Sequence, residues 1–477
     1  MKKGLRILFV SAEVAPYAKT GGLADVAGSL PGVLSDMGMD VQVVLPGYRE
    51  IDAEQVYITD FPVKMGNRRE TCVLKQVKDA AATTYTVNNY HYYHRNGLYM
   101  HHDDGERFAF LCKASLDLCK ATGFKPDLIH MNDWHAGPVA LLLEEEYKKK
   151  DPFYRDIKTV LTIHNLEYQG HFDKEILDLL GLPGELFVPE KVEFYGRFNF
   201  LKAGILYADK INTVSRTYSR EILTPEYGEG LEGVLLNRRN DLFGIINGID
   251  YNEFNPADDA FLYYAYDERN LSGKVQNKKE LQKELGLPVN NDPIIGVVHR
   301  LVSQKGLDLV VETFEEMMAM GIQFVLLGIG DPHLEDTFTR LMEKYPDRVS
   351  VRIEFNEVLA HKIYAGSDIF LMPSRFEPCG LGQMISLRYG TIPVVRETGG
   401  LKDTIIDIDR DPEKGNGFSF SEYTPKAFID ALGRAVNVYR DNPGLWLDMI
   451  KRGLRTDFSW KNSAKEYFYV YNRTLKV

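Results

Sequence analysis

Cysteine is scarce in this chain: Cys72, Cys112, Cys119 and Cys379 are the only four in 477 residues, and no two form a Cys-x-x-Cys pair. That usage excludes a disulfide framework and a zinc ribbon, and it suits a reducing cytoplasm. Cys112 and Cys119 lie seven apart in a helical pattern and are expected in the core. Long apolar runs are missing as well. None approaches the ~20 residues a membrane-spanning helix needs, so no integral membrane protein is expected. Positive charge is in deficit: 57 Lys and Arg against 68 Asp and Glu give a formal net charge of −11. This opposes adhesion to nucleic acid or anionic lipid and leaves room for a local cationic pocket. The glycine-rich loop that follows strand one, Lys19-Thr20-Gly21-Gly22-Leu23, is neither GxGxxG nor a phosphate loop ending in Gly-Lys-Ser/Thr, so hydride transfer and ordinary ATP hydrolysis lose support. His91, His94, His101 and His102 show no regular ligand spacing or acidic partner pattern; they read as packed or solvated loop histidines, and no metal is expected.

What is present is the alternation of short β-rich apolar runs with amphipathic helical stretches, the pattern of parallel sheets built from βαβ units. The length suits two such domains. Met1-Lys2-Lys3 precedes apolar residues, but the run is short and reads as the approach to strand one rather than a secretory leader. Strands are expected at Leu5 to Val10, Val41 to Leu45, Leu128 to Met131, Thr159 to Ile163 and Lys210 to Val214. A second set is expected at Gly244 to Ile246, Ile294 to Val298, Phe324 to Leu327, Val349 to Ile353, Ile369 to Met372 and Ile392 to Val395. Turn signals at Asn247-Gly248 and Asn255-Pro256 put the boundary near Gly244. The expected division is 1–243, 244–456 and a terminal helix in 457–477. Strict repeats and low-complexity tracts are lacking, and the charged run from Glu144 to Asp151 reads as a solvated helix end. One echo stands out: Thr20-Gly21-Gly22-Leu23 returns as Thr398-Gly399-Gly400-Leu401, which suggests similar loop physics in both places.

Ligands of open parallel sheets lie beyond the carboxyl ends of the strands, where backbone N–H groups meet anions at helix starts. The unusual residues cluster there. Lys19-Thr20-Gly21-Gly22-Leu23 offers a cation and two glycines that permit close backbone approach, although glycines can equally make a simple turn. Arg300 and Lys305 flank a loop entering a helix near Gly306, where both can converge on a diphosphate; two exposed basic side chains are the plain alternative. Glu377 stands in Pro373-Ser374-Arg375-Phe376-Glu377-Pro378-Cys379-Gly380-Leu381-Gly382-Gln383, either facing a sugar or capping a helix. Asp133-Trp134-His135, His164-Asn165 and Tyr168 add polar groups and aromatic surface suited to sugar hydroxyls, where core packing is the ordinary role of each.

Six motifs in order, Lys19-Thr20-Gly21-Gly22-Leu23-Ala24-Asp25-Val26, Asn132-Asp133-Trp134-His135-Ala136-Gly137, His164-Asn165-Leu166, Asn247-Gly248-Ile249-Asp250, Arg300-Leu301 through Lys305-Gly306, and Arg375 through Leu381, resemble the bacterial glycogen synthase and plant starch synthase family. Each is short, but together they cover nearly the whole chain. The resemblance implies two doubly wound Rossmann-like domains facing a cleft, the glycosyltransferase-B fold, with a terminal helix near Ser463 to Tyr471 crossing back. It implies donor binding by Lys19 with Gly21, Gly22 and Asp25, and a diphosphate clamp of Arg300 and Lys305. Glu377 resembles the essential carboxylate beside the transferred glucose, and His164 the residue near its 6-hydroxyl. Asp133 and Asn247 resemble cleft contacts from the two sides, Tyr93 and Trp134 sugar-facing aromatics, and Cys379, Gly380, Leu381 and Gly382 the donor-side turn. Phe355 stands where an adenine-facing tyrosine is familiar: stacking survives, a phenolic hydrogen bond does not. Gly382 stands where threonine is common. Ile385 stands where many retaining transferases carry a second glutamate, which argues against those other families.

The function implied is transfer of glucose from ADP-glucose to the non-reducing end of glycogen or another α-1,4-glucan, with retained configuration, no cofactor and no metal, in the cytoplasm. A UDP-glucose donor or a small acceptor is the nearest alternative. A nucleotide-sugar epimerase would rearrange donor without elongating glucan, and a carbohydrate-binding protein would keep the fold without the chemistry. Because Lys19 falls in the first domain and the other charged groups in the second, donor-driven closure is expected. Oligomeric state is left open.

Overall fold

The computed structural model of the protein describes residues 4–476; Met1, Lys2 and Lys3, with which the reading of the N-terminus began, lie outside them. Residues up to Asn247, together with those from Trp460 onward, form one compact unit, and Gly248–Ser459 form another. The chain therefore changes unit four residues beyond the expected 243/244 join and three beyond the expected 456/457 join. In the first unit the strands are β1 (Arg6–Val10), β2 (Asp40–Pro46), β3 (Gln55–Met65), β4 (Arg68–Val77), β5 (Thr83–Asn88), β6 (Leu128–Asn132), β7 (Lys158–Ile163), β8 (His171–Phe172), β9 (Glu193–Phe194), β10 (Arg197–Asn199), β11 (Lys210–Thr213) and β12 (Leu242–Gly244). The second unit carries β13 (Ile294–Val298), β14 (Gln323–Leu327), β15 (Val349–Arg352), β16 (Ile369–Met372), β17 (Ile392–Arg396) and β18 (Phe418–Phe420).

The second sheet runs β15-β14-β13-β16-β17-β18, all parallel. Counted from β13 this is the doubly wound order 3-2-1-4-5-6, whose switch point lies between β13 and β16. Near-continuous apolar runs such as Ile294–Val298 fit strands buried on both faces. The first sheet runs β12-β11-β7-β6-β1-β2-β5-β4-β3, with its switch point between β1 and β6, and β8, β9 and β10 form a small separate sheet. Each unit has its own core. Cys112 and Cys119 are buried in the first, and all four cysteines are free thiols.

Three expectations need correction. The first sheet is mixed, because β3 pairs antiparallel with β4 and β4 with β5. Gly66, at φ +59°, turns the two-residue hairpin between Met65 and Arg68. The strand expected at Gly244 to Ile246 of the second half is β12, an edge strand of the first sheet, with Ile211, Asn212 and Thr213 facing Leu242, Phe243 and Gly244. Gly244 permits that placement, since a Cβ there would lie 2.3 Å from the Ser215 carbonyl oxygen. A sixth strand of the second sheet, β18, went unforeseen.

The terminal helix spans Trp460–Thr474 and packs into the first unit. Its Tyr471 hydroxyl meets His130 Nδ1 at 2.8 Å, and its Tyr467 hydroxyl accepts from Asn212 Nδ2 at 3.1 Å. The run from Glu144 carries ion pairs of Glu144, Glu145 and Glu146 with Lys148, Lys149 and Lys150. No helix among the described residues is long and apolar enough to cross a membrane.

Candidate functional site

Both switch points carry the singled-out loops. In the first unit, β1 ends at Val10 and the chain passes through Glu13 before entering the helix Gly22–Asp36. Glu13 is buried, and its carboxylate gathers four donors: Thr20 N at 2.5 Å, Gly21 N at 3.2 Å, and the Thr20 and Tyr99 hydroxyls at 2.7 Å each. Those bonds fix the loop by charge-assisted contacts. Gly21 is extended at φ −159°, and a Cβ on Gly21 or Gly22 would meet nothing within 4 Å. Neither backbone strain nor packing demands glycine here, so the space in front of both is open to a ligand. Lys19 pairs with Asp25 at 2.6 Å.

Beyond β6, Asn132 and Asp133 join His164 in a buried polar network. Asn132 Nδ2 donates to the Val10 carbonyl at 3.1 Å, which turns its Oδ1 to His164 Nε2 at 3.0 Å. An amide oxygen only accepts, so Nε2 carries the proton and Nδ1 is left as the acceptor of the ring. Burial holds the His164 imidazole neutral, with its pKa lowered to about 3. Asp133 stands at φ +56°, uncommon for a residue with a side chain, and accepts from His164 N at 2.7 Å. Burial raises its carboxyl to about 7, against the backbone N–H groups of His164 and Asn165, which favour the charged form.

In the second unit, β13 leads through His299 and Arg300 to a turn, Ser303–Lys305, and then a short helix, Leu307–Glu312. Between them Gly306 sits at φ +69°, and a Cβ there would lie 2.0 Å from the Pro373 carbonyl oxygen. This glycine lets the β13 and β16 loops touch. Arg375 N donates to Gln304 O at 2.9 Å and Gln304 Nε2 to Phe376 O at 3.2 Å. The outcome is an ion pair of Lys305 Nζ and buried Glu377 Oε2 at 2.7 Å, with the Ser374 hydroxyl donating to the same oxygen at 3.0 Å. Arg300 is exposed and makes no ion pair among the described residues. Beyond Glu377, Cys379 is buried, Gly380 is at φ +72°, and Leu381 and Gly382 open the helix Gly382–Arg388. Phe355 presents its ring to solvent at 83% exposure.

Two sequence-derived placements shift. Tyr93 is 1% exposed and donates its hydroxyl to the Arg107 carbonyl at 2.7 Å, so it packs in the core rather than presenting an open aromatic face. Asn247 belongs to the first unit, not the second; it is buried, with Oδ1 unpartnered. Trp134 is half-buried, its ring stacked on His135 at 3.9 Å and edged by Phe108. None of the four loop histidines falls in a metal-capable cluster among the described residues. Sequence reasoning passed over Glu13, Asn132 and Ser374, the groups that hold the named ones. A carboxylate three residues past the end of β1, at a switch point, was the available signal for Glu13.

Comparison with known proteins gives concordant results. Residues 6–237 match the starch synthase catalytic domain, and residues 277–442 match glycosyl transferases group 1. The glycogen synthase of Moorella thermoacetica is 52% identical, over 100% of this chain and 98% of its own length. That of Desulforudis audaxviator is 50% identical over 99% and 97%. Among solved structures, the catalytic domain of Arabidopsis thaliana starch synthase IV, bound to ADP and acarbose, superposes with a TM-score of 0.94 at 34% identity, covering 99% of this chain and 100% of that one.

Proposed function

The chain belongs to the family of bacterial glycogen synthases and plant starch synthases and is a glucan-synthesising hexosyltransferase of glycosyltransferase-B fold; we propose that it moves glucose from ADP-glucose to the non-reducing end of glycogen or a similar α-1,4-glucan, with retained configuration. The observation that carries the residue assignment is the Lys305–Glu377 pair, pinned at the switch point of the second sheet by two loops that bond to each other. Arg300 and Lys305 balance the charge that grows on the leaving diphosphate, and fixed cations stabilise that charge most in the transition state. Glu377, already holding Lys305, positions it and faces the developing positive charge on glucose. The turn from Cys379 through Gly382 lies beside the phosphates, and Phe355 stacks on adenine.

On the first unit, Lys19 and the open glycines Gly21 and Gly22 take part in donor binding, with Asp25 orienting Lys19. His164, neutral and held through Nε2, offers Nδ1 to a glucose hydroxyl, and Asp133 and Asn247 are the polar groups beside it. The acceptor hydroxyl attacks on the face the diphosphate leaves, and a donor phosphate oxygen takes its proton. Two cations supply the charge balance, so this reading calls for no metal and no cofactor. The same reading puts the reaction in the cytoplasm, which a nucleotide-sugar substrate and free thiols support.

The test is label transfer from matched ADP-glucose and UDP-glucose to glycogen, followed by digestion specific for α-1,4 linkages, for the native chain and Glu377→Gln. ADP-glucose is expected to label glycogen well above UDP-glucose, and the variant to lose turnover at least a hundredfold, about 2.7 kcal/mol of barrier, while staying folded. Failure of both donors removes the reading.

A further inference from the structure

The second unit contains one polar cluster that the transferase chemistry does not use. Glu357 opens the helix Glu357–Gly366, and His361 follows four residues later on the same face. Glu253 comes from the segment by which the chain enters this unit. One ligating atom from each of the three lies within 4.8 Å of the others.

His361 gives the cluster a direction. The residue is 2% exposed, and its Nδ1 is bound to Asp259 Oδ2 at 2.7 Å. Asp259 also accepts from the Tyr389 hydroxyl. Nε2 is buried without any partner. A buried imidazole nitrogen left bare is costly unless something occupies it. The ring cannot turn away: Phe254 stacks on it at 4.9 Å and Phe261 meets it edge-on at 5.1 Å. Neither glutamate is buried.

We propose that Glu253, Glu357 and His361 Nε2 bind a divalent first-row transition ion, zinc being the probe of choice. One imidazole and two carboxylates form an N/O donor set that suits zinc and is too nitrogen-rich for a calcium or magnesium cage. Asp259 on Nδ1 supplies the carboxylate–histidine–metal relay that orients such ligands and fixes their tautomer. Zinc bond lengths near 2.0–2.2 Å put tetrahedral ligands roughly 3.3 Å apart, so the two glutamates need only close from 4.8 Å or less. A water completes the coordination. The ion ties the entry segment of the second unit to the helix Glu357–Gly366, and its role is to stabilise that unit rather than to take part in transfer.

The test uses the full chain, stripped with chelator and titrated with zinc against a chromophoric competitor, and with cobalt(II) for its visible absorption. The expected result is one zinc per chain, a cobalt spectrum of low-symmetry N/O coordination, and a melting temperature raised by several degrees at saturating zinc. Glu253→Gln/Glu357→Gln keeps the His361–Asp259 bond and should fold; it is expected to lose the zinc and the thermal shift together. A native chain that binds no zinc overturns the proposal. So does a double variant that still binds one equivalent, since the ion would then sit elsewhere.

Discussion

The tetrapeptide Thr-Gly-Gly-Leu occurs twice, each time just before or at the start of a helix that follows a strand, and the two copies do opposite things. At Gly21 and Gly22 an added Cβ meets nothing within 4 Å. At Gly399, φ is +45° and a Cβ would lie 1.9 Å from the Glu377 carbonyl oxygen; at Gly400 it would lie 2.1 Å from that of Cys379. Gly400 N donates to Glu377 O at 3.1 Å and to Pro378 O at 3.2 Å. The second pair of glycines is required by the chain itself, which folds its next loop directly onto the backbone that carries Glu377. The first pair is required by nothing in the chain. Glycine there keeps a space clear, so an identical sequence is packed against backbone in one unit and left open in the other.

The largest effect should come from filling the crowded copy. Gly400→Ala forces its methyl onto the Cys379 carbonyl, and overpacking of this kind costs roughly 1–3 kcal/mol, more when backbone rather than a side chain must yield. Urea unfolding should show a loss at or above 3 kcal/mol by this reckoning, and turnover should fall with it because Glu377 moves. A variant with an unchanged midpoint would erase the contrast between the two copies.

The second effect concerns how the open copy keeps its shape. Glu13 accepts from Thr20 N, Gly21 N and the hydroxyls of Thr20 and Tyr99. Glu13→Gln keeps one acceptor oxygen and turns an amino group toward a donor. Hydrogen bonds to a charged group are worth roughly 1.5–3 kcal/mol, so a loss of about 2 kcal/mol is expected. The donor KM should rise more than kcat falls, because the change loosens a binding loop. Unchanged stability would mean that the Glu13 bonds do not hold the loop.

This contrast marks the limit of what could be read in advance. The strands at β1, β2, β6, β7, β13 and β16 were legible because buried parallel strands are continuous apolar runs, and strand ends then point to Lys19, Lys305 and Glu377. The hairpin of β3 and β4 was not: Gln55–Met65 is mostly exposed, so its residues carry little apolar alternation, and only Gly66-Asn67 signalled a turn. Tyr93 failed for a different reason. Its place beside sugar came from motif resemblance alone, which carries no information on burial, and its hydroxyl is satisfied by the Arg107 carbonyl in the core. Motif likeness also cannot tell crowded glycines from open ones, since that depends on which loop lies opposite, here Glu377–Cys379 in one case and no protein atom in the other.

The smallest change in stability should accompany the sharpest test of the open copy. Gly22 is the first residue of the helix Gly22–Asp36, and its backbone is outside the left-handed region, so alanine fits without strain. Removing a glycine from a helix restricts the unfolded chain and is worth roughly 0.5–1 kcal/mol in favour of folding. Gly22→Ala should therefore unfold at the same or a slightly higher urea concentration than the native chain. If the space before Gly22 is where donor lies, the methyl intrudes on that ligand alone, and the donor KM should rise about tenfold, some 1.4 kcal/mol of binding, while the acceptor KM stays put. Stability and activity would then move in opposite directions at one atom. Unchanged donor KM in a normally stable variant would show that the clear space has no ligand in it, and the Lys19 loop would lose its assignment to the donor.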